Sequence, residues 1–385
     1  MTEQLSQFWS ALSEAERPTL LPPVPSPERL AYRRSVKLVI QAGVHGPKVG
    51  LYHPGSHWVI DTAGCPVQSP AINKLLDELR LALQRPEAPS IYDERTGEGA
   101  LRYAVIRESS RADSAELSEL HLTLVATQDS AALRELIAAL YHADPKLIGA
   151  ALHLNPRPGN AIFDWSATPM MQQVAGASAL LSHFPRPGGA TLPLLASAES
   201  FSQVNPAAAA LAYQAVVEAL DPRPSERALD LYCGVGSIAL SLSLAGCAEV
   251  IGLEESASSV ADARHNASSL ERPLRFIEGL TERELPALVS ELIEGAPEQE
   301  PGAPRQVLVS LNPSRRGCQA EVIEQLARLR PRRIAYMSCH PRTFGRDLKR
   351  LMARGYFARS IQLFDLFPGT PHFELVCLLE PRVEP

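Results

Sequence analysis

The 385-residue chain holds six cysteines, none of them in a C-x-x-C pair, and the first is Cys65. That is too few and too scattered for a disulfide framework in a chain of this size, and the spacing offers no zinc or iron–sulfur ligand set. No metal site is therefore expected. Long apolar runs are missing as well. Nowhere do eighteen apolar residues follow one another, and the start, MTEQLSQFWSALSEAE, is acidic and amphipathic where a signal peptide would be basic and then apolar. A membrane span and a secretory leader are both excluded on that reading, which leaves a cytoplasmic protein with no membrane partner. Positive charge is in short supply, with 37 Lys and Arg against 43 Asp and Glu. As an average, that speaks against a nucleic-acid partner. There is no internal repeat, and no feature demands an obligate protein partner.

What is present is an ordinary globular composition, 45% hydrophobic and 21% charged, over a length comfortable for two domains. Charge is also unevenly spread. Between Gly302 and Ser360 there are thirteen Lys and Arg against three acids, Glu321, Glu324 and Asp347. A charge run is usually a solvated face. This one surrounds Cys339, the cysteine singled out below, so a phosphate-facing surface is the better expectation.

Residues 1–29 read as a short amphipathic helix followed by a proline-rich linker. Over 30–190 the pattern is that of a smaller α+β domain. Val36, Leu38 and Ile40 alternate along a strand, KVGLYH and HWVID flank a Pro54–Gly55 turn, and Leu75, Leu76, Leu79 and Leu83 share one helical face. Strands near 101–108, 118–126 and 148–154 and a helix near 130–141 complete it. Over 191–385 helices and strands alternate. Asn205 caps and Pro206 opens the first helix. ALDLY, EVIGLE, LRFIE, QVLVSLN and RIAYMSC follow as strands, and SIQLFDLF and ELVCLLE close with a hairpin. This predicts an α/β fold, a Rossmann-like, seven-stranded, mainly parallel sheet. The polar stretch 294–304 reads as a loop.

LDLYCGVGSIALSL places an acid at a strand end, then a glycine turn, then a helix. Gly234 and Gly236 permit the turn and let backbone N–H groups approach a ligand, while Glu254 ends the next strand, where a ribose diol would sit. Spacing alone leaves two cofactors open. The geometry serves S-adenosylmethionine, but Gly234, Gly236 and Ala239 also fit G-x-G-x-x-A, with Glu254 at a distance suited to NAD.

Downstream, Asn312-Pro313-Ser314-Arg315 and Ser338-Cys339-His340-Pro341 each follow a strand at the carboxyl edge of the sheet, and Glu374 opens the final strand. With FSQVN (201–205), DLYCGVG (230–236), Glu254, NPSRRG (312–317), SCHP (338–341) and FDLFPGTPHFE (364–374) in that order, the second half resembles the RNA (uracil-5-)methyltransferase family, which modifies tRNA and 23S rRNA. YRRSVKLVI, GLYH and AGCPV in the first domain resemble the rRNA branch best. The resemblance implies a class I S-adenosylmethionine-dependent methyltransferase domain. It implies cofactor contacts by Gln203, Tyr232, Glu254 and Asn312 beside the glycine turn, a nucleophile in Cys339 and a proton acceptor in Glu374. The chemistry asks for that pair. C5 of uracil becomes nucleophilic only after a thiolate adds to C6, and a base must then remove the C5 proton. Arg315 or Arg342 would favour the thiolate, and Arg315, Arg316, Arg342 and Arg346 would grip RNA phosphates. Cys233, Cys247, Cys318 and Cys377 read as packed filler, and His372 as a structural histidine.

Four departures from the family pattern stand out. The N-terminal cysteine cluster is reduced to Cys65, so no iron–sulfur centre is expected. The small β-barrel RNA-binding domain of some members has no counterpart motif here and is not expected. SCNP reads SCHP, with His340 in place of Asn, and Ser314 stands where a second proline is usual. Asn312 in place of Asp fits the rRNA branch. Competing readings are methylation of an exocyclic amine, disfavoured because Arg315 replaces the aromatic of an N-P-P-aromatic motif; a catalytically weakened RNA-binding or assembly factor retaining the cofactor pocket; and, weakest, an NAD enzyme.

Overall fold

The computed structural model describes residues 17–109, 118–159, 161–163, 171–185, 190–268, 270, 272–295 and 305–382. The helix expected at the N terminus and nearly all of the 294–304 loop lie outside these residues. The chain divides into two compact units, one of Glu28–Pro185 and Thr191–Pro206, the other of Met1–Pro27, Arg186–Ala190 and Ala207–Pro385.

Strand β1 (Thr19–Leu20) belongs to the C-terminal unit. The N-terminal unit begins with β2 (Ser35–Gln41), β3 (Lys48–Tyr52), β4 (Val59–Asp61) and helix α1 (Pro70–Ala82). It continues through β5 (Leu101–Glu108), β6 (Leu120–Ala126), α2 (Ala131–Ala143), β7 (Leu147–Leu154) and β8 (Met171–Gly176) to the hairpin β9 (Ala179–Pro185) and β10 (Thr191–Ser197). Its main sheet runs β4-β3-β2-β5-β6-β7-β8. Only β6 and β7 pair in parallel, because α2 carries the chain back between them, as a parallel connection requires. Both helices start where a serine allows: Ser69 Oγ accepts from Ile72 N–H and Ser130 Oγ from Leu133 N–H. Leu75, Leu76 and Leu79 then pack with Leu38, Ile106, Leu122 and Ile137 in one core.

Strands β8, β9 and β10 were not legible in the sequence. MQQVAG has no alternation, and Pro193 inside TLPLLAS argues against a strand. Yet β10 pairs with β9 along its whole length. The boundary expected at residue 190 consequently lies nearer 206, and FSQVN belongs to the N-terminal unit.

The C-terminal unit comprises α3 (Pro206–Leu220), β11 (Arg227–Leu231), α4 (Ser237–Leu244), β12 (Glu249–Glu254), α5 (Ala257–Ala267), β13 (Leu274–Glu278), α6 (Thr281–Glu294) and β14 (Arg305–Leu311). After these come α7 (Ala320–Leu329), β15 (Pro331–Ser338), α8 (Pro341–Ala353), β16 (Tyr356–Phe364) and β17 (Glu374–Pro381). The strand order is β1-β16-β17-β15-β14-β11-β12-β13. β11 to β15 are parallel, and β17 inserts antiparallel between β15 and β16. A dinucleotide-binding Rossmann sheet keeps the order 3-2-1-4-5-6. The reversed last strand here makes the sheet of the methyltransferase type. Interior strands are buried on both faces, as parallel strands under helices must be: Leu229, Leu231, Val309 and Leu311 pack with Leu285, Ile323, Leu326 and Leu348.

The proline-rich stretch, expected to be a linker, lies along the sheet edge. Thr19 and Leu20 pair in parallel with Ser360 and Ile361, and Leu21 N–H and Val24 N–H donate to Ile361 and Leu363 carbonyls at 2.8 Å each. Pro22 and Pro23 have no N–H to give, so the ladder is broken there. An eighth strand thus covers an edge that would otherwise be open.

Candidate active site

The glycine turn comes first. Tyr232 leaves β11 with a left-handed φ of 64°, and its N–H donates to Leu253 O at 2.8 Å. Gly234 and Gly236 follow at φ 54° and 86°. Gly236 is the residue before α4, so the N–H groups of that helix start at the turn. Buried Asp230 anchors the turn from beneath, its Oδ2 accepting from Ala239 N–H at 2.9 Å; burial pushes its carboxyl up to about 7. Glu254 sits one strand over, held by two backbone donors: Gly234 N–H to Oε2 and Ser256 N–H to Oε1, each 3.0 Å. Two carboxylate oxygens pinned in this way keep spare lone pairs for a diol. A Cβ on Gly234 would meet no atom within 4 Å, so this side of the turn is open. The donor set suits an adenosine cofactor. Tyr232's hydroxyl, by contrast, interacts with Cys318 and Thr281. What that residue offers a ligand is its ring face and backbone.

Asn312, Cys339 and Glu374 stand at the same rim. Asn312 follows β14, its N–H donating to Leu231 O at 3.3 Å. Cys339 follows β15. Because β17 runs antiparallel to β15, its first residue returns to the rim where β15 ends. Ser338 pairs with Leu375 as the last pair of that ladder, so Cys339, the residue after β15, and Glu374, the first of β17, lie at the same end of it. A thiol and a carboxyl 35 positions apart in the sequence are thus brought to one edge of the sheet.

Their electrostatics agree with that placement. Burial raises the Cys339 thiol, and the Glu374 charge raises it further; Arg315, hydrogen-bonded to it, pulls the other way without winning. Glu374, 7% exposed, is pushed up to about 8 by burial, with Arg315 opposing. Arg315 thus acts on both. Arg315 favours the thiolate, the direction expected of a nearby arginine, but desolvation and a like charge outweigh it. Cys233, Cys247, Cys318 and Cys377 are buried. Burial raises each of their thiols, those of Cys247 and Cys318 to about 11 and 12. His372 is exposed, with its ring against Phe367 at 6.2 Å.

The raised Glu374 has a stability cost with a definite sign. A carboxyl whose folded pKa lies above its ordinary 4.5 binds its proton more tightly when folded. It contributes most below that ordinary value, and the contribution is lost as pH rises through about 8. If Glu374 serves as the proton acceptor that the family resemblance implies, it must be ionised to do so, and rate and stability should move oppositely with pH. Thermal unfolding of Glu374→Gln and parent at pH 6 and pH 9 is expected to show the parent losing stability relative to the variant at the higher pH.

His340 has a clear local role. It is the N-cap of α8, with Nδ1 accepting from Thr343 N–H at 3.4 Å and facing Thr343 Oγ1 at 3.2 Å, and Pro341 opens the helix. Asn would cap equally well, which accounts for the exchange in SCHP. His340→Asn should leave stability and activity near parental values, whereas His340→Ala should cost about 1 kcal/mol, measured by denaturant unfolding.

Of the arginines expected to grip RNA, Arg315, Arg316 and Arg342 are exposed. Among the described residues neither Arg316 nor Arg342, nor nearby Lys349, takes part in an ion pair. Arg346 is exposed as well, but its guanidinium also serves the protein: its Nε donates to Asp347 Oδ1 at 2.8 Å and its Nη2 to the Arg316 and Cys318 carbonyls at 2.8 and 3.1 Å. Gln203 lies in the N-terminal unit, in the segment leading to α3. Sequence reasoning missed Asp347, Tyr336 and Thr343 around Cys339. Asp347 in particular was counted only as one acid among thirteen bases.

Fold and rim together define a Rossmann-like methyltransferase. Residues 302–382 match the family model described as tRNA (Uracil-5-)-methyltransferase. An uncharacterized RNA methyltransferase of Geobacter sulfurreducens is 34% identical over 99% of this chain and 72% of its own length, and one of Gloeobacter violaceus is 31% identical over 98% and 76%. The chain belongs to the RNA (uracil-5-)methyltransferase family. Among solved structures, the tRNA (uracil-54, C5)-methyltransferase of Pyrococcus abyssi, in complex with S-adenosyl-L-homocysteine, has the same fold, with a TM-score of 0.71 at 22% identity over 98% of this chain and 82% of that one. Among the described residues no helix is long and apolar enough to cross a membrane, and no group of three or more His, Cys, Asp or Glu could hold a metal ion.

Proposed function

We propose that this protein methylates C5 of a uridine in RNA through a covalent adduct between Cys339 and C6 of the base. The observation that supports the reading is the β15–β17 pairing, which brings Cys339 and Glu374 to one end of the ladder, with the charge of Arg315 acting on both. S-adenosylmethionine, the cofactor that the Glu254–Gly234 arrangement suits, supplies an electrophilic methyl group and the positive charge of its sulfonium. Gly234, Gly236, Tyr232 and Asn312 line its side of the rim, Glu254 takes the ribose hydroxyls, and Gln203 is assigned by the family motif FSQVN.

Cys339 gives its thiol proton to water and its Sγ forms a bond to C6, and the C5–C6 electron pair moves to make an enolate whose C5 accepts the methyl group. Glu374 then takes the C5 proton. The freed pair re-forms C5–C6 and expels the thiolate, so the protein ends with one proton more on Glu374, returned to water. Arg315 steadies both anions in turn. Glu374 and the thiol need not carry full charge together at the outset, which two raised pKa values would make costly. A base paired or stacked within RNA must first be turned out to reach the pair.

For the RNA we favour 23S rRNA, on Asn312 and on the rRNA-type motifs of the first unit, with tRNA the alternative. Arg315, Arg316 and Arg342, joined by Lys349, offer phosphate contacts around Cys339. Such work places the protein in the cytoplasm. The raised thiol gives some standing to a second reading, an RNA-binding assembly factor that keeps the cofactor pocket. Mapping 5-methyluridine in total RNA of a deletion strain complemented with parent or with Cys339→Ala tests both. The enzyme reading expects one or more sites to vanish in the deletion and stay absent with the variant. Restoration of every deletion phenotype by the variant would favour the binding factor.

A further inference from the structure

We propose that Asp347 is a positioning residue for Cys339, fastening the Asn312–Cys318 loop that carries Arg315 to the helix that follows the thiol. The inference rests on the reading of Cys339 as the nucleophile. Asp347 lies in α8, two turns beyond its His340 cap, and is 0% exposed, so it touches neither RNA nor cofactor. Its Oδ2 accepts from Cys318 N–H at 2.8 Å and from the Tyr336 hydroxyl at 2.9 Å. Its Oδ1 accepts from Arg346 Nε at 2.8 Å and faces Arg350 at 3.7 Å. The second end of the Arg346 fork holds the Arg316 and Cys318 carbonyls, and Thr343 Oγ1 donates to Arg315 O at 3.1 Å.

One buried carboxylate thus ties three elements: the loop after β14, strand β15 through Tyr336, and α8. Burying a carboxylate is costly unless every lone pair is used. A leucine would fill the same space, but only an acid gives directional bonds to a backbone N–H, a phenol and a guanidinium at once. Gly317 shows how close the fit is. It has φ +72°, and a Cβ there would lie 2.3 Å from Asp347 Oδ2 and 2.7 Å from Arg346 Nη2. No other residue lets the loop lie this low. The consequence, two residues from Gly317, is at Arg315, whose carbonyl Thr343 holds and whose charge acts on both Cys339 and Glu374. A displacement of about 1 Å in such a group is enough to cost on the order of a hundredfold in rate.

The test separates positioning from plain fold stability by coupling. In RNA-free protein, alkylation of Cys339 by iodoacetamide is followed by site-resolved mass spectrometry against pH, with Cys65 as the internal reference. In the parent, Arg315→Ala should slow Cys339 alkylation about three- to tenfold at a given pH, the effect of losing a nearby cation. In the Asp347→Asn background, where an amide NH2 must face one of the former donors, the same Arg315→Ala change should have almost no effect, because the guanidinium is already displaced. Arg346→Lys, an exposed position where folding is not at stake, should show the same loss of coupling in part. An equal Arg315→Ala effect in the parent and in Arg346→Lys would overturn the proposal, whether or not Asp347→Asn folds, and so would no Arg315→Ala effect in the parent. Failure of the parent to methylate RNA would count against Cys339 as nucleophile, a result distinct from any change in the alkylation coupling.

Discussion

Cys339→Ala should lose methyl transfer by a factor on the order of 10⁴ or more, while binding S-adenosylmethionine as the parent does. The size follows from what the thiol supplies. Without addition at C6 there is no enolate at C5, and no other nucleophile is placed to substitute: the other cysteines of that unit are buried with raised thiols. Removing a nucleophile outright is among the largest single-residue effects known in enzymes. Cofactor affinity should hold because Glu254 and the glycine turn are fixed by bonds that do not involve Cys339. The side chain is half-buried, so truncation leaves only a small cavity and a folded protein. Single-turnover transfer of labelled methyl to RNA, beside calorimetric cofactor titration, separates the two quantities.

Glu374→Gln should fail later in the sequence, and visibly. Addition and methyl transfer need Cys339 and the cofactor, so the variant should still form the C6 adduct and methylate C5. Only the C5 proton then has nowhere to go, and the protein stays bonded to its RNA. A denaturing gel should show a slow-migrating complex that persists about 10²–10⁴ times longer than in the parent, the usual worth of a positioned base. A variant that turned over at the parental rate would assign the proton to another group.

Much of the C-terminal unit could be read in the sequence, since the strands of a covered parallel sheet are short apolar runs closed by polar residues, and its chemistry lies at their ends. Cys339, Glu374, Glu254 and the glycine turn, to which that chemistry is assigned here, stand out in the sequence for that reason. That Asn312, Cys339 and Glu374 would gather on one rim of the sheet was expected; the pairing of β17 between β15 and β16 that brings Glu374 there was not, because it depends on strand order and register. Strands β8 to β10 were hidden by weak alternation and by Pro193, and pairing overrode both signals. Residues 19–24 looked like a linker because prolines interrupt them, and the pairing is carried by Thr19, Leu20, Leu21 and Val24 around Pro22 and Pro23. The bonds of Arg346 to Asp347 and to the Arg316 and Cys318 carbonyls were hidden because charge in a sequence does not show where a long side chain turns. His340 looked like a departure until its cap was seen.

The most direct measurement uses a 23S rRNA transcript made with 5-fluorouridine, whose C5 substituent cannot leave as a proton does. Incubated with the protein and S-adenosylmethionine, it should give a stable complex in which a peptide containing Cys339 carries a methylated, fluorinated nucleotide at C6. If ordinary transcript gains methyl groups at C5 of uridine while the fluorinated one forms no bond to Cys339, or bonds to another residue, the account of the thiol is wrong.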